Sequence, residues 1–266
     1  MKNISSYRTQ YAIARKFYYS ETAEVPKIQN ELKMFDMVPA YYNAYLFDNT
    51  YSENVLNCNA LKFAKDISSL LSKPWNAEKG RILPNSFYEQ IVYCNDVHVF
   101  LNDMSKKNME RYYRQTAYIM KAAGMIKCSK GKVFADLLFE SDKDIYFALL
   151  EAFWNLTEWE LIFPLHSDLN MDKNMVKALH YDRSIFRDIL LKERTEKVIC
   201  MQEVADYFSD LTGISDRGDV DFAFFLDFYL LKWLEHFNLV KYHKSSGLMP
   251  RSFEVSSITS EILANI

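Results

Sequence analysis

A helix that ends in a left-handed residue and passes straight into a short hairpin occurs twice in this chain, 114 residues apart at Gly124 and Asn238. Gly124-Met125-Ile126-Lys127 closes the first copy and Asn238-Leu239-Val240-Lys241 the second. Glycine and asparagine are the residues that most readily take positive φ and so close a helix. Each copy continues with a β-like run, a glycine turn and a second β-like run. These are Ile126 to Cys128, Ser129-Lys130-Gly131 and Lys132 to Phe134, then Leu239 to His243, Ser245-Ser246-Gly247 and Ser252 to Val255. A fold for this chain must therefore use one helix-plus-hairpin unit twice.

Helix dominates the rest. The chain has only six glycines and six prolines, nearly all where a helix should start, stop or turn. Tyr7 to Tyr19, Val25 to Phe35 and Ser52 to Ser72 read as helices, with Pro26 in a first turn and Ser52 as a cap. In the last of these, Val55, Cys58, Leu61, Ala64, Ile67 and Leu71 recur at three- or four-residue steps and form one buried face. Tyr41, Tyr42, Tyr45, Phe47 and Tyr51 lack the interleaved cations of a base-stacking surface, so they read as packing residues.

With 266 residues and 49% hydrophobic content the chain can bury a core in one large or two ordinary domains. Its most apolar run, Phe222 to Leu234, is interrupted by Asp227 and Lys232, so no membrane span is expected. Met1 to Ser6 carries no apolar signal core. Cys58, Cys94, Cys128 and Cys200 have no paired spacing of the zinc or redox kind and read as reduced thiols. The expected location is the cytoplasm.

Charge is segregated. Lys106 to Lys132 holds eight basic residues and one acid, Glu110, while the remainder carries 24 basic against 34 acidic residues. Asp144 to Asp172 has six acids and neither Lys nor Arg, and Gln202 to Leu231 has seven acids against Arg217 alone. Eight to one in a short stretch of an otherwise acidic chain is a local field. On a helix from Lys106 to Ala123, Lys107, Arg111, Arg114, Tyr118 and Lys121 make one stripe, opposite Met109, Tyr113, Thr116, Met120 and Ala123. Lys127, Lys130 and Lys132 extend the charge into the hairpin.

The stretch from about residue 85 to the C-terminus resembles tandem winged-helix regions of poorly characterised bacterial proteins, in which helix, Gly, apolar pair and wing recur on both sides of an aromatic helical linker. The matching elements are Lys106 to Phe134, the linker Asp144 to Phe163 with Phe153, Trp154 and Trp159, and Val198 to Val255. The resemblance implies a mainly α fold with small β-hairpin wings, divided into a helical N-terminal region (1–84), a basic winged-helix-like domain (85–140), the linker (141–197) and an apolar, acidic winged-helix-like domain (198–266). In such a domain the third helix lies in the major groove and the wing over adjacent phosphates. Duplex DNA is then the favoured partner, with Arg111 and Arg114 placed to reach base edges and the lysines to neutralise phosphates. Winged helices also serve as protein-interaction modules. The alternatives are an ordinary solvated helix face, since surface helices routinely carry Lys and Arg, and an acidic protein surface, the chain's own Asp144 to Asp172 region included.

The second copy argues differently. Its third helix, Val220 to Phe237, is apolar around most of its circumference, so it is expected to be buried in the fold or in a contact with a protein partner or second copy. Asp216 and Asp219 suit its N-terminus, and Arg217-Gly218-Asp219 is a chance tripeptide. Enzyme readings are weaker. His166-Ser167-Asp168 and His180-Tyr181-Asp182, either side of Asp172, offer imidazole and carboxylate for a metal-dependent hydrolase, yet their spacing matches no ligand pattern. No phosphate-binding glycine loop or serine nucleophile elbow occurs. A non-enzymatic regulatory or accessory protein without catalytic residues, metal or cofactor is the expectation.

Overall fold

The computed structural model describes residues 55–94, 106–136, 141–163, 173–192, 198–213, 222–243, 252–255 and 257–266. It is mainly helical, with two small antiparallel three-stranded sheets. The helices expected at Tyr7 to Tyr19 and Val25 to Phe35, the aromatic cluster from Tyr41 to Tyr51, His166, Asp168, Asp172, the 216–219 stretch and the Ser245–Gly247 turn lie outside the described residues. Two compact units divide the chain: the first takes Phe63–Leu156 with Asn265–Ile266, the second 55–62 with Thr157–Ala264.

The first unit begins within α1 (Asn59–Leu70) and runs through β1 (Trp75–Asn76), α2 (Asn85–Cys94), α3 (Lys106–Ala122), β2 (Ile126–Ser129) and β3 (Lys132–Ala135). All six apolar positions expected on one face of the Ser52 to Ser72 helix are buried. That helix is nevertheless broken: Val55 and Leu56 are helical, Asn57 and Cys58 bend, and α1 starts afresh at Asn59. Asparagine side chains compete with the helix for its backbone groups, and here the Asn57 carbonyl accepts the side-chain amide of Asn238, 3.0 Å away. Where α1 meets α3, the Tyr113 hydroxyl donates to Asp66 at 2.8 Å, and the Phe63 ring meets Tyr113 edge-on at 5.1 Å. Under α2, Phe87 packs edge-on against both Trp75 and Tyr88.

Both helix–hairpin joints are built alike. In the first, Met125 N–H bonds the Met120 carbonyl (2.8 Å) and Gly124 N–H the Lys121 carbonyl (3.1 Å), with Gly124 at φ 77°. In the second, Leu239 N–H bonds the Leu234 carbonyl (2.8 Å) and Asn238 N–H the Glu235 carbonyl (2.9 Å), with Asn238 at φ 55°. Each is the paired 6→1 and 5→2 closure that satisfies the last helical carbonyls and turns the chain out. Beyond the first joint, β2 and β3 pair from Ile126↔Ala135 to Ser129↔Lys132 around a two-residue turn. Lys130 (φ 50°) and Gly131 (φ 72°) are both left-handed, as a type I′ hairpin requires. β3 lies between β2 and β1.

After β3, α4 (Asp142–Glu151) is capped by Ser141, whose hydroxyl accepts Asp144 N–H, and it continues as a π-helical turn, Ala152–Leu156. Phe153 and Trp154 are buried there.

The second unit holds α5 (Trp159–Ile162), α6 (Lys173–Tyr181), α7 (Arg183–Lys192), β4 (Ile199–Cys200), α8 (Met201–Thr212), α9 (Phe222–Phe225), a π turn (Leu226–Leu231), α10 (Lys232–His236), β5 (Val240–Tyr242), β6 (Ser252–Val255) and α11 (Ser257–Leu263). β6 is the middle strand, between β4 and β5. Among the described residues, read from α1 and from α7 and counting α9, the π turn and α10 as one continuous helix, the two units share one order, helix–strand–helix–helix–strand–strand, with the last strand central. The Val220 to Phe237 helix expected from the sequence is thus α9, a π turn and α10 in succession. At the π turn the Asp227 carbonyl accepts the Tyr242 hydroxyl at 2.8 Å. Among the described side chains of this stretch Phe222, Leu226, Leu230, Leu231, Trp233, Leu234 and Phe237 are buried, while those of Phe224, Phe225, Phe228 and Tyr229 lie outside the described residues.

Among the described residues no helix is long and apolar enough to cross a membrane.

Candidate nucleic-acid interface

Helix α3 owes its position to its apolar face. Met109, Tyr113, Thr116, Met120 and Ala123 are all buried, together with Ala117 and Ile119. Thr116 is tolerated inside because its hydroxyl bonds the Tyr112 carbonyl at 2.7 Å, one turn back. The opposite stripe is turned outward to different degrees: Lys107 and Lys121 are exposed, and Arg111, Arg114 and Tyr118 are half-buried. On the hairpin, Lys130 and Lys132 are exposed and Lys127 is half-buried.

The seven cations among these residues separate into two groups by what they touch. Arg114 is held inside the unit. Its guanidinium takes Glu110 Oε1 through Nε (2.9 Å) and Nη2 (2.5 Å), gives a further bond to Asn85 Oδ1 (2.8 Å), and lies 4.2 Å from the centre of the Tyr88 ring. The glutamate one turn toward the N-terminus is the favourable order for such a pair. Burial pushes the Tyr88 hydroxyl's pKa up, with the Arg114 charge opposing the shift. Lys127 forms an ion pair with Asp136, and Lys132 donates to Asn76 Oδ1 at 2.6 Å. Lys107, Arg111, Lys121 and Lys130, by contrast, make no ion pair or side-chain hydrogen bond among the described residues.

The cations without a partner among the described residues thus sit at both ends of α3, at its middle and at the hairpin tip. Arg111 is the guanidinium of the stripe without an acceptor among the described residues. Arg114 acts by fixing α2 against α3, a role invisible in the helical stripe because Asn85 and Tyr88 belong to another element.

That division predicts a result. Arg114→Lys keeps the charge but cannot span Glu110, Asn85 and the ring together. Partial exposure of the pair discounts its worth, so we expect a loss of about 1 kcal/mol in urea unfolding. Affinity for a polyanion should stay within roughly threefold, a difference of well under 1 kcal/mol. A variant that keeps native stability but loses affinity tenfold or more would place Arg114 at the ligand instead.

The acids that begin the Asp144 to Asp172 run are engaged near home. Asp144 accepts the Ser141 hydroxyl at 2.6 Å, and Glu151 accepts the Asn155 amide at 2.8 Å. Just ahead of them, Asp142 pairs with Lys65 at 2.6 Å.

Of the hydrolase candidates only His180 and Asp182 are described. The His180 ring stacks on Trp159 with centroids 4.7 Å apart, and its carbonyl takes a bond from Arg183. No group of three His, Cys, Asp or Glu among the described residues is placed to hold a metal ion. The four cysteines form no disulfide: Cys94 and Cys128 are exposed, Cys200 is half-buried, and Cys58 is buried with its thiol pushed up to about 11 by desolvation. Comparison of the chain with protein-family models, with curated proteins and with solved structures gives no match.

Proposed function

We propose that the two units are tandem winged helices and that the first binds duplex DNA, with α3 in the major groove and the β2–β3 hairpin as the wing over neighbouring phosphates. The protein is then a regulatory or accessory DNA-associated factor and not an enzyme. The observation that carries this reading is the set Lys107, Arg111, Lys121 and Lys130, which have no ion-pair or hydrogen-bond partner among the described residues and are spread along the outward face of the third helix and onto the hairpin tip. The shared helix–strand–helix–helix–strand–strand order, with the last strand central, supports the winged-helix assignment. Arg111 is the contact best suited to a base edge and the lysines to phosphates. The assembly role expected of residues 220–237 does not enter the proposal, because most of their described apolar side chains are already buried within the chain.

Salt tests this reading. Each phosphate neutralised on B-DNA contributes about −0.9 to the slope of log affinity against log salt, so four contacts give a slope of about −4. Raising salt from about 50 to about 200 mM should then weaken binding to a duplex of mixed sequence by roughly 100-fold, read by fluorescence anisotropy. A native chain that fails to bind the duplex at the lower salt, or binds it with a flat slope, contradicts the proposal.

A further inference from the structure

The stretch between β1 and α2 belongs to neither the basic helix nor the wing, yet it is fastened to both. At one end Lys132 donates to Asn76 Oδ1 (2.6 Å), and Ala77 N–H bonds the Gly131 carbonyl at the hairpin turn (2.8 Å). At the other end Asn85 accepts Arg114 of α3 (2.8 Å). Between these ties Ile82 and Leu83 are buried and pin the strap to the core. Residues 77–81 are all exposed.

Within the exposed part the chain makes one turn, closed by Arg81 N–H on the Glu78 carbonyl (3.1 Å), with Gly80 at φ 78°. That is the position where a type II turn needs glycine, and it leaves Lys79 at the outer corner. Glu78 and Arg81 pair with each other at 3.1 Å and cancel locally. Lys79 makes no ion pair or side-chain hydrogen bond among the described residues. It lies two residues from Ala77, and Lys130 is next to Gly131, so a single backbone hydrogen bond holds both lysines to the tip of the hairpin. Two residues of chain reach no more than about 7 Å.

Resting on the DNA-binding reading above, we propose that this strap is a third phosphate-contacting element of the first unit, and that Lys79 binds the same backbone segment as Lys130 of the wing. The wing is then a two-loop surface, with the hairpin turn on one side and the 78–81 turn on the other. The charge run from Lys106 to Lys132 does not contain it.

The test compares the native chain with Lys79→Ala and with Lys192→Ala, an exposed lysine of the second unit, on the same mixed-sequence duplex at several salt concentrations. Lys79→Ala should weaken binding about three- to tenfold near 0.1 M salt and make the salt slope less steep by about 1, while Lys192→Ala changes neither. If Lys79→Ala matches the native chain in affinity and slope while the native chain still binds steeply, the strap is overturned and the DNA-binding reading stands. Equal losses in the two variants also overturn it, because they report net charge and not contact. No salt-dependent binding by the native chain removes the reading and the strap together.

Discussion

Acidification from pH 7 toward pH 4 should destabilise the second unit by on the order of 1 kcal/mol per pH unit, and His236→Gln should remove most of that slope. His236 ends α10, fully buried beside the Trp233 ring (5.5 Å, edge-on), with its Nδ1 3.4 Å from the Asn59 side-chain amide. Burial, and secondarily the charge of Lys232 one turn away, lower its pKa from 6.5 to about 3. The folded protein therefore keeps this ring neutral across a range in which the unfolded chain takes up a proton. Between those two values the unfolded state binds more protons, so stability present above pH 6.5 is lost as pH falls. Asp66 in the first unit works the other way: burial raises its pKa against the pull of the Tyr113 hydrogen bond, so its protonation favours the folded form as pH drops. The readout is thus the difference in urea midpoint between native chain and His236→Gln at matched pH. A difference that stays constant from pH 7 to pH 5 would mean that His236 is protonated in the folded protein.

What the sequence made legible was local. The two helix–hairpin joints could be read because a helix end is decided within six residues, and Gly124 and Asn238 supply the positive φ that the closure needs. The faces of α3 could be read because seventeen residues give the 3.6 period nearly five turns in which to repeat. The short strands β1 and β4 were out of reach. Two residues carry no periodicity, and Asn76 meets its partner Lys132 across 56 positions. The break at Asn57–Cys58 and the π turn at Leu226–Leu231 escaped for a similar reason. One has its carbonyl taken by Asn238, 181 residues on, and the other by Tyr242 on the facing hairpin.

The site divides along the same line. The cationic stripe follows from spacing alone, but the sequence cannot tell a cation that is spent from one that is not. Arg114 had a visible partner in Glu110 at i−4. Asn85, 29 residues earlier, and the Tyr88 ring had to be brought to it by the packing of α2 on α3. Lys127 and Lys132 are likewise engaged by Asp136 and Asn76 of the same sheet and its flank. Lys79 escaped because it stands outside the charge run, between a glutamate and a glycine. These partners leave Arg111 and Lys121 as the pair whose reversal probes the surface without disturbing the Arg114 clamp.

That pair gives the second large expected effect and the most direct test of the account. Arg111→Glu/Lys121→Glu removes two of the proposed phosphate or base contacts from the outward face of α3 and puts two carboxylates where phosphates would lie. Losing about 1.4 kcal/mol or more at each position weakens duplex binding at least 100-fold. Neither side chain has a partner among the described residues, so circular dichroism and the urea midpoint should remain native. The control, Lys192→Glu, carries half the charge change on the second unit. The decisive measurement is the anisotropy titration of the folded double variant beside the native chain in one buffer. Kd should rise at least 100-fold, with the control near native, and a double variant that binds within about threefold of the native chain would rule out duplex binding through the outward face of α3.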